Sequence, residues 1–274
     1  MRPLSLMLEK PIAFVWRDLI EDTSYKLSFF MQFLSIFIST SMFYFFSRLL
    51  GDAGASYLKP YGGNYFSFVL IGIAFYSYLG VSMKSLSDTI REGQMLGTLE
   101  ALLVTQTEIP TIIISSSLYS FIWATFKVAV YLLLGAYVFG VNLGNANLIG
   151  AIIVLILTII SFGSLGIVSA SFVMVLKRGD PVNWIFSSIS GLLGGLYYPI
   201  SVLPDWLQKC SYLLPVTYAL EGMRLAVLKG YSVSELLPNI LALTLFSIIM
   251  LPLSIVIFGH AVKKAKKDGT LTQY

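Results

Sequence analysis

Long apolar runs, separated by short polar segments, follow one another along most of the chain. A helix of about 20 apolar residues crosses a hydrocarbon layer of about 30 Å. Backbone groups inside lipid must be satisfied within their own segment, which favours helices over strands. The pattern predicts membrane-spanning helices at residues 27–46, 65–83, 111–139, 148–176 and 236–259.

Another apolar segment begins at Pro181, before the last of these spans, and is broken by glycine and proline. Gly191, Gly195, Pro199 and Pro204 lie within it. Broken helices at membrane depth occur only where protein or a water-filled cavity surrounds them. We therefore predict a fifth span in chain order, followed by short helices that form a re-entrant outer hairpin before span six. A kinked span with a disordered outer loop is the alternative, although the apolar character of the segment argues against exposure to water.

The segment before the first span has apolar residues at helical spacing, with charged residues mostly on the other side. Its apolar positions are Leu4, Leu8, Ile12, Val15, Trp16 and Leu19. This pattern is typical of an amphipathic helix that lies in the membrane interface. The predicted fold is an all-α integral membrane protein with an interface helix at 1–26, a six-span domain at 27–260 and a basic cytosolic tail at 261–274.

Composition agrees with this fold and narrows the function. The chain is 57% hydrophobic and 12% charged, whereas soluble domains carry about 25% charged residues. Most of its surface must therefore face lipid. The single cysteine, Cys210, and the single histidine, His260, exclude an internal disulfide framework and a multi-histidine metal site. The net charge of +4 does not indicate nucleic-acid binding, because the basic residues lie between the spans.

The distribution of lysine and arginine predicts the orientation. With both termini in the cytoplasm, twelve basic residues lie on the cytosolic side and five on the outer side. Cytoplasmic connections generally carry such an excess of Lys and Arg. The pattern therefore predicts a multi-pass protein of the cell (inner or plasma) membrane, with residues 84–110, the longest polar stretch, in the cytosol.

This cytosolic stretch contains an acidic residue, a short spacer and the run Gly-Thr-Leu-Glu-x-Leu-Leu. The acidic residue is Glu92, and the run occupies residues 97–103. The arrangement resembles the motif after the second span in permeases of the type-2 ATP-binding-cassette (ABC) transporter family. The residues that the resemblance assigns to coupling with an ATPase are Arg91, Glu92, Gly93, Gly97, Thr98, Leu99 and Glu100.

The second motif is the glycine- and proline-rich segment, followed by Pro-x-Thr-Tyr at residues 215–218 and an arginine six residues later. Permeases of the same family share a Gly-rich end of the fifth span, a Pro-containing re-entrant hairpin and a Pro-x-Thr-Tyr motif that is followed by an arginine. Glu221 and Arg224, three apart on a helix, could pair at the edge of this region. As an exposed pair they would contribute little stability, so a positioning role suits them better. The resemblance implies an outer gate that contains Gly191, Gly195, Pro199, Leu203, Pro204, Pro215, Tyr218, Glu221 and Arg224.

The resemblance implies an exporter built from two permeases, expected to be a homodimer, and two cytosolic ATPase subunits. The chain contains no Gly-x-x-x-x-Gly-Lys-Ser/Thr phosphate loop. ATP and Mg²⁺ are therefore expected on the separate ATPase, and no cofactor or enzymatic activity is expected in this chain. The expected mechanism is alternating access, and the expected substrate is a hydrophobic or amphipathic drug, antibiotic or lipid. Export of a lipid-linked polysaccharide or glycolipid is the alternative.

The cytosolic coupling segment distinguishes an ABC exporter, whatever its substrate, from other classes of membrane protein. An apolar face with Ile90, Leu96 and Leu99, edged by Glu92 and Glu100, suits a groove on an ATPase. The alternative is a cytosolic helix pair that packs on its own spans. An ATP-independent channel would leave the motif unexplained. An intramembrane enzyme would need paired carboxylates, several histidines or a nucleophile with a base, and no such constellation occurs in the predicted spans.

Aromatic residues are frequent in the first two spans, which line the path between the two permeases in the resembled family. The candidate pathway residues are Phe37, Tyr44, Phe75, Tyr76 and Lys127. Aromatic walls suit amphipathic molecules, but lipid-facing bulk and interfacial belts are the simpler interpretation. Lys127 lies midway along an apolar stretch, where a charge is costly. It could face a cavity, pair with an acidic group or extend to the interface.

Overall fold

The computed structural model describes residues 15–16, 19–20, 23–51, 55–95, 109–176 and 179–267. All regular secondary structure in these residues is helical. Within these residues, the helices of seven or more residues are α1 (Lys26–Leu50), α2 (Tyr65–Met95), α3 (Ile109–Leu133), α4 (Leu148–Leu176), α5 (Pro181–Leu193), α6 (Asp205–Ser211), α7 (Pro215–Arg224) and α8 (Leu237–Lys267). The shorter elements are a helix at Ala55–Leu58, 3₁₀ turns at Lys59–Tyr61 and Ile200–Val202, and π-helical turns at Leu134–Val138 and Leu225–Lys229 that continue α3 and α7.

Five segments of the described chain have the length and apolar composition to cross a membrane: Lys26–Leu50, Tyr65–Glu92, Leu118–Val138, Leu148–Leu176 and Leu237–Ala265. They correspond to five of the predicted spans and confirm a multi-pass membrane protein. The remaining predicted span begins with α5, which has only 13 residues. At 1.5 Å per residue α5 is about 20 Å long, shorter than a hydrocarbon layer of about 30 Å. A sixth crossing therefore needs more than α5.

The long helices alternate in direction and so define two ends of the assembly. At the hairpin end, where α1 and α3 end and α2 begins, aromatic rings gather. The centroid of the Tyr44 ring lies 5.4 Å from that of Phe66 and 4.8 Å from that of Phe139. At the opposite end, the tail end, Leu86 and Ile90 of α2 pack with the last turns of α4 and α8. Apolar contacts thus hold the helices together at both ends.

α4 lies between α8, α2 and α7, and packs along all three. Small side chains let these helices approach one another closely. The buried hydroxyls of Ser161 and Ser247 share a hydrogen bond of 2.8 Å between α4 and α8. Gly166 lies so close to α2 that a Cβ there would be 2.4 Å from the carbonyl oxygen of Ser82. α4 is therefore the scaffold against which the neighbouring helices are positioned.

The stretch predicted to be cytosolic begins as a continuation of the second span. α2 runs without a break through 31 residues to Met95, a length of about 46 Å. Ile90 is 4% exposed and packs against Met174 and Val262. The expectation that Ile90 faces a groove on a partner is therefore wrong, because its own chain covers it.

Parts of the predicted ends lie outside the described residues. The described residues at 15–16, 19–20 and 23–24 are helical, and residues 1–14 lie outside. The amphipathic interface helix therefore stays a prediction. The first half of the predicted basic tail, residues 261–267, is helical as the end of α8, and residues 268–274 lie outside.

Gly166→Ala should destabilise the protein, because the added Cβ meets backbone atoms of α2 that cannot move aside as a flexible side chain can. Overpacking of this kind costs about 1–3 kcal/mol. The matched control is Gly163→Ala on the same helix, where a Cβ finds open space. Thermal unfolding of the purified chain in detergent should show a lower Tm for Gly166→Ala only. Equal Tm values for the two variants would contradict the close packing of α2 on α4.

Candidate functional site

The turn between α4 and α5 determines where α5 begins. The Asp180 carboxylate caps the helix by accepting a hydrogen bond of 3.0 Å from the backbone N–H of Asn183. The Ser169 hydroxyl of α4 donates to the same carboxylate oxygen. Pro181 occupies the first turn, where its missing N–H costs no hydrogen bond. These contacts tie the start of α5 to the tail-end half of α4.

Two glycines follow the end of α5 at Leu193, the first where a Cβ has no room and the second where φ is positive. A Cβ at Gly194 would lie 2.4 Å from the carbonyl oxygen of Ser190 and 2.6 Å from the Val216 side chain. Gly195 has a φ of +73°, in the left-handed region that favours glycine. The helix is therefore interrupted here, as the glycine and proline pattern predicted.

The segment from α5 to α7 is held in shape by its own hydrogen bonds. α6 begins directly after Pro204, and the side-chain amide of Gln208 donates to the carbonyl oxygen of Leu203 at 2.8 Å. The Tyr218 hydroxyl of α7 donates to the carbonyl oxygen of Tyr212 at 2.9 Å. These bonds fold α6 back towards the start of α7.

α7 runs antiparallel to α4 and is buried for most of its length. A Cβ at Gly222 would lie 3.3 Å from Val154 of α4. Further along, the carbonyl oxygen of Ala226 accepts a hydrogen bond of 2.9 Å from the backbone N–H of Asn147. Pro215, the first residue of α7, is also buried. α7 therefore lies inside the helix assembly and leads towards the hairpin end.

Arg224 joins α7 to α2 and to the segment that follows α5. The residue is 3% exposed. Its guanidinium donates to the carbonyl oxygens of Phe68 at 3.0 Å, Gly195 at 2.8 Å and Leu196 at 2.9 Å. It also lies over the Phe68 ring, 3.5 Å from the centroid. A Cβ at Gly72 would lie 2.5 Å from Nη2, so this glycine of α2 makes room for the guanidinium.

Glu221 and Arg224 do not form the exposed pair that their spacing allows. Arg224 is buried, and three backbone carbonyls accept its hydrogen bonds. Within the described part of the chain, no group donates a hydrogen bond to the Glu221 carboxylate. The charge of Glu221 still acts on Arg224, but the hydrogen bonds of the guanidinium go to the three backbone carbonyls.

A cavity of about 220 Å³ lies beside Arg224 at the hairpin end. Burial raises the pKa of Tyr61 in its lining to about 12, the Glu221 carboxylate adds to the rise, and Arg224 opposes it. Of the predicted gate residues, the cavity brings together Gly195, Pro199, Glu221 and Arg224. Its other lining residues are Tyr57, Pro60, Tyr61, Gly194, Ile200, Ser201, Tyr212 and Thr217.

The family of the chain follows from comparison with known proteins. A model of the ABC-2 type transporter family matches residues 12–228. The chain belongs to this family. The linearmycin resistance permease protein LnrN of Bacillus subtilis (strain 168) is 24% identical over 161 residues, which are 58% of this chain and 41% of that relative. The alignment thus spans less than half of the relative's length. The resemblance seen in the two motifs is confirmed, and the chain is an ABC transporter permease.

The permease carries the described part of its coupling segment on the last turns of α2. Arg91 and Glu92 are both exposed, and Gly93 continues the helix. Residues 97–100 lie outside the described residues, so the coupling role of this segment stays a prediction. Phe68 and Arg91 are about 35 Å apart along one continuous helix, at 1.5 Å per residue.

The candidate pathway residues of the permease do not form one cluster. Phe37 is 47% exposed on α1, whereas Phe75 is buried in the core. Tyr44 belongs to the aromatic group at the hairpin end. The Lys127 ammonium lies 5.8 Å from the centroid of the Trp123 ring on the same helix. The four side chains therefore occupy different surroundings, and their roles stay predictions.

Tyr76 differs from the other pathway candidates because it reaches α5. Its hydroxyl donates to the carbonyl oxygen of Ser187 at 3.1 Å. A second cavity, of about 190 Å³, lies beside this contact between α2, α4 and α5. Its lining includes Met83, Lys84 and Ser190 as well as Tyr76. The surface that α2 shares with α5 is thus partly open.

Sequence reasoning missed several residues around Arg224 and its cavity, among them Gly72, Tyr57, Tyr61 and Tyr212. Gly72 carries a usable signal, because an isolated glycine within a predicted helix indicates a packing or functional reason for its place. The three tyrosines carry no comparable local signal. They come from the loop before α2 and from the end of α6, and only folding brings them to one cavity.

Arg224→Met should destabilise the permease, because the buried carbonyls of Gly195 and Leu196 lose their donor, whereas the carbonyl of Phe68 keeps its bond within α2. An unsatisfied buried acceptor costs about 1–3 kcal/mol, so we expect a total loss of at least about 2 kcal/mol. The control is Lys229→Met, which removes an exposed basic group a few residues further on. Amide hydrogen exchange in residues 194–204 should accelerate in Arg224→Met and not in the control. A Tm equal to that of the control would contradict the anchoring role.

Tyr61 should make the permease sensitive to alkaline pH. Its pKa is raised from 10.0 to about 12, so its contribution to stability is complete below pH 10 and is lost as the pH rises to 12. The full difference corresponds to at most about 3 kcal/mol. The Tm of the wild type should therefore fall relative to that of Tyr61→Phe over this range. Tyr137→Phe, at a position 85% exposed, is the control, and coincident pH curves for the two variants would refute the assignment.

Proposed function

We propose that the permease is the membrane subunit of an ATP-driven exporter that moves a hydrophobic or amphipathic molecule out of the cytoplasm. Two copies of the permease and two cytosolic ABC ATPase subunits form the complex, and the ATPase binds ATP and Mg²⁺. The permease performs no covalent chemistry. Membership of the ABC-2 family supports this proposal.

The observation that carries the proposal is that one unbroken helix, α2, connects the coupling segment with the hairpin end. The first turns of α2 hold Arg224 through the carbonyl oxygen of Phe68. Its last turns bear Arg91 and Glu92 on the surface. An ATPase that displaces the tail end of α2 therefore displaces the contacts of Arg224 as well. This is a direct mechanical route from ATP binding to the segment between α5 and α7.

In this proposal the tail end faces the cytosol, and both termini are cytoplasmic. The excess of lysine and arginine on that side supports the orientation. α5 and α7 together make the fifth crossing, because Gly194 at the end of α5 meets Val216 at the start of α7. The residues between them form the outer hairpin. The permease then has six crossings in a cell (inner or plasma) membrane.

The transport step is alternating access. When the ATPase subunits close, α2 shifts relative to α4, and the surface between α2 and α5 at Tyr76 opens or closes. The hydrogen bonds of Arg224 carry the shift to the outer hairpin. The glycines at positions 194 and 195 are the hinge, because they form the break between α5 and the hairpin.

An antibiotic-like or lipid-like amphipathic molecule is the proposed substrate. The related Bacillus subtilis protein is named for resistance to linearmycin, and resistance by transport requires outward movement of the compound. The cavity beside Tyr76 has apolar walls of Leu79, Met83 and Phe162 with Lys84 in its lining. Such a surface suits a molecule with both an apolar and a polar part.

Co-expression with a candidate ABC ATPase tests the proposal. The ATPase should co-purify with the intact permease, and Glu92→Ala or Gly97→Trp should release it or lower the coupled ATPase activity about tenfold, as expected for loss of a charged contact. Glu235→Ala is the matched control, because Glu235 is an exposed acidic residue near the start of α8 at the opposite end.

Proteoliposomes that contain the complex then test the direction of transport. Fluorescent amphipathic compounds should move away from the side that carries the ATPase, only with ATP and only with an intact coupling segment. Movement without any ATPase would indicate an ATP-independent channel. Failure of every ATPase to associate with the wild-type permease would overturn the exporter proposal.

A further inference from the structure

We propose that the cavity beside Arg224 binds a zwitterionic head group, one that carries an ammonium and a phosphate diester. The inference goes beyond the transport function and does not depend on the direction of transport or on the ATPase. It rests on the two opposite charges in the cavity lining, on the hydrogen-bond partners that each charged group has, and on the aromatic residues around them.

The cavity has room for such a group. Its volume of about 220 Å³ is about seven times the share of one water molecule in the liquid. The loop before α2 contributes Tyr57 and Tyr61, and the segment after α5 contributes Ser201. α7 contributes Glu221 and Arg224. Three parts of the chain and the end of α6 therefore line one cavity that contains charged and aromatic side chains.

Arg224 supplies the anion-binding side. A guanidinium has five N–H groups, and the three carbonyl contacts account for one each on Nε, Nη1 and Nη2. The remaining N–H groups of the two terminal nitrogens have no acceptor among the described residues, and Arg224 lines the cavity. The Tyr61 phenol, like any tyrosine of pKa 10 or above, is protonated at neutral pH and is therefore a hydrogen-bond donor in the lining of the same cavity.

Glu221 supplies the cation-binding side. Its carboxylate accepts no hydrogen bond from the described residues, although it is partly buried. The aromatic residues Tyr57, Tyr61 and Tyr212 line the same cavity. Aromatic faces attract ammonium groups within about 6 Å of the ring centroid. A carboxylate beside several tyrosines is therefore a suitable environment for an ammonium group.

The two sides together favour a zwitterion over a singly charged ligand. Glu221 and Arg224 line one cavity with opposite charges, so an ammonium alone or a phosphate alone meets one attractive and one repulsive group. A net-neutral ligand with both groups satisfies both charges and leaves no charge uncompensated on binding. Either a membrane lipid head group or a soluble zwitterion has this chemistry.

Isothermal titration calorimetry of the full-length permease without an ATPase tests the proposal. An uncharged maltoside detergent is used, because zwitterionic detergents would compete for the site. The soluble probe is glycerophosphoethanolamine, and ethanolamine and dimethyl phosphate represent each charge alone. We expect the zwitterion to bind at least about tenfold more tightly than either single-charge probe, as loss of one charge-assisted hydrogen bond implies.

Variants locate the binding to this cavity. Glu221→Gln should weaken binding about tenfold. No described group donates a hydrogen bond to this carboxylate, but its charge acts on Arg224 and Tyr61, so an unchanged Tm must accompany the loss of binding. Tyr57→Leu should also weaken it, since Tyr57 is half exposed and lines the cavity. The matched controls outside the cavity, Glu235→Gln and Tyr137→Leu, should bind as the wild type does.

A short-chain phosphatidylethanolamine distinguishes the two sources. Tighter binding of the lipid than of glycerophosphoethanolamine supports a lipid head group, and equal binding supports a soluble zwitterion. The proposal is overturned if neither probe shows saturable binding, if the single-charge probes bind as well, or if Glu221→Gln has no effect. Because no ATPase is present, each of these results leaves the exporter proposal untouched.

Discussion

The burial of Arg224 is the constraint on which the architecture of the hairpin end depends. Arginine keeps its charge in proteins, so a buried guanidinium needs acceptors for its N–H groups. The carbonyls of Gly195 and Leu196 are available because α5 has already ended, and helix residues further back would use theirs within the helix. The carbonyl of Phe68 brings in α2. The break in α5 and the burial of Arg224 therefore require each other.

Close packing of small residues gives the rest of the permease its shape. α4 approaches α2 at Gly166 and α8 at Ser161, without large side chains between the backbones. α2 is thereby supported along its length and emerges as a continuous helix at the tail end. A helix held in this way is suited to move as a unit, which is what coupling between an ATPase and a distant hairpin requires.

The same arginine that stabilises the fold also gives the cavity its chemistry. Its three hydrogen bonds to carbonyls leave the other N–H groups without an acceptor among the described residues, and Glu221 places an opposite charge in the same cavity lining. A polar cavity is unusual in a chain that is 57% hydrophobic, because every buried polar group needs a partner. The structural role of Arg224 and the proposed ligand-binding role thus lie on the same helix, α7, whereas the contact of Tyr76 with α5 belongs to a separate cavity nearer the middle of α2.

The sequence by itself determined the membrane-spanning helices and the break in α5. Residues 148–176 form α4 with the predicted bounds, because a long apolar run in lipid has only the helix available. The spacing of residues along the helix did not predict the hydrogen-bond partners of Arg224, because Glu221 was the only partner that this spacing suggested. In the folded protein Arg224 instead donates hydrogen bonds to carbonyls that lie 28, 29 and 156 residues away in the chain, and only the tertiary structure determines these partners. Partners so distant leave no periodic signal, and burial, which selects them, exists only after the helices have packed.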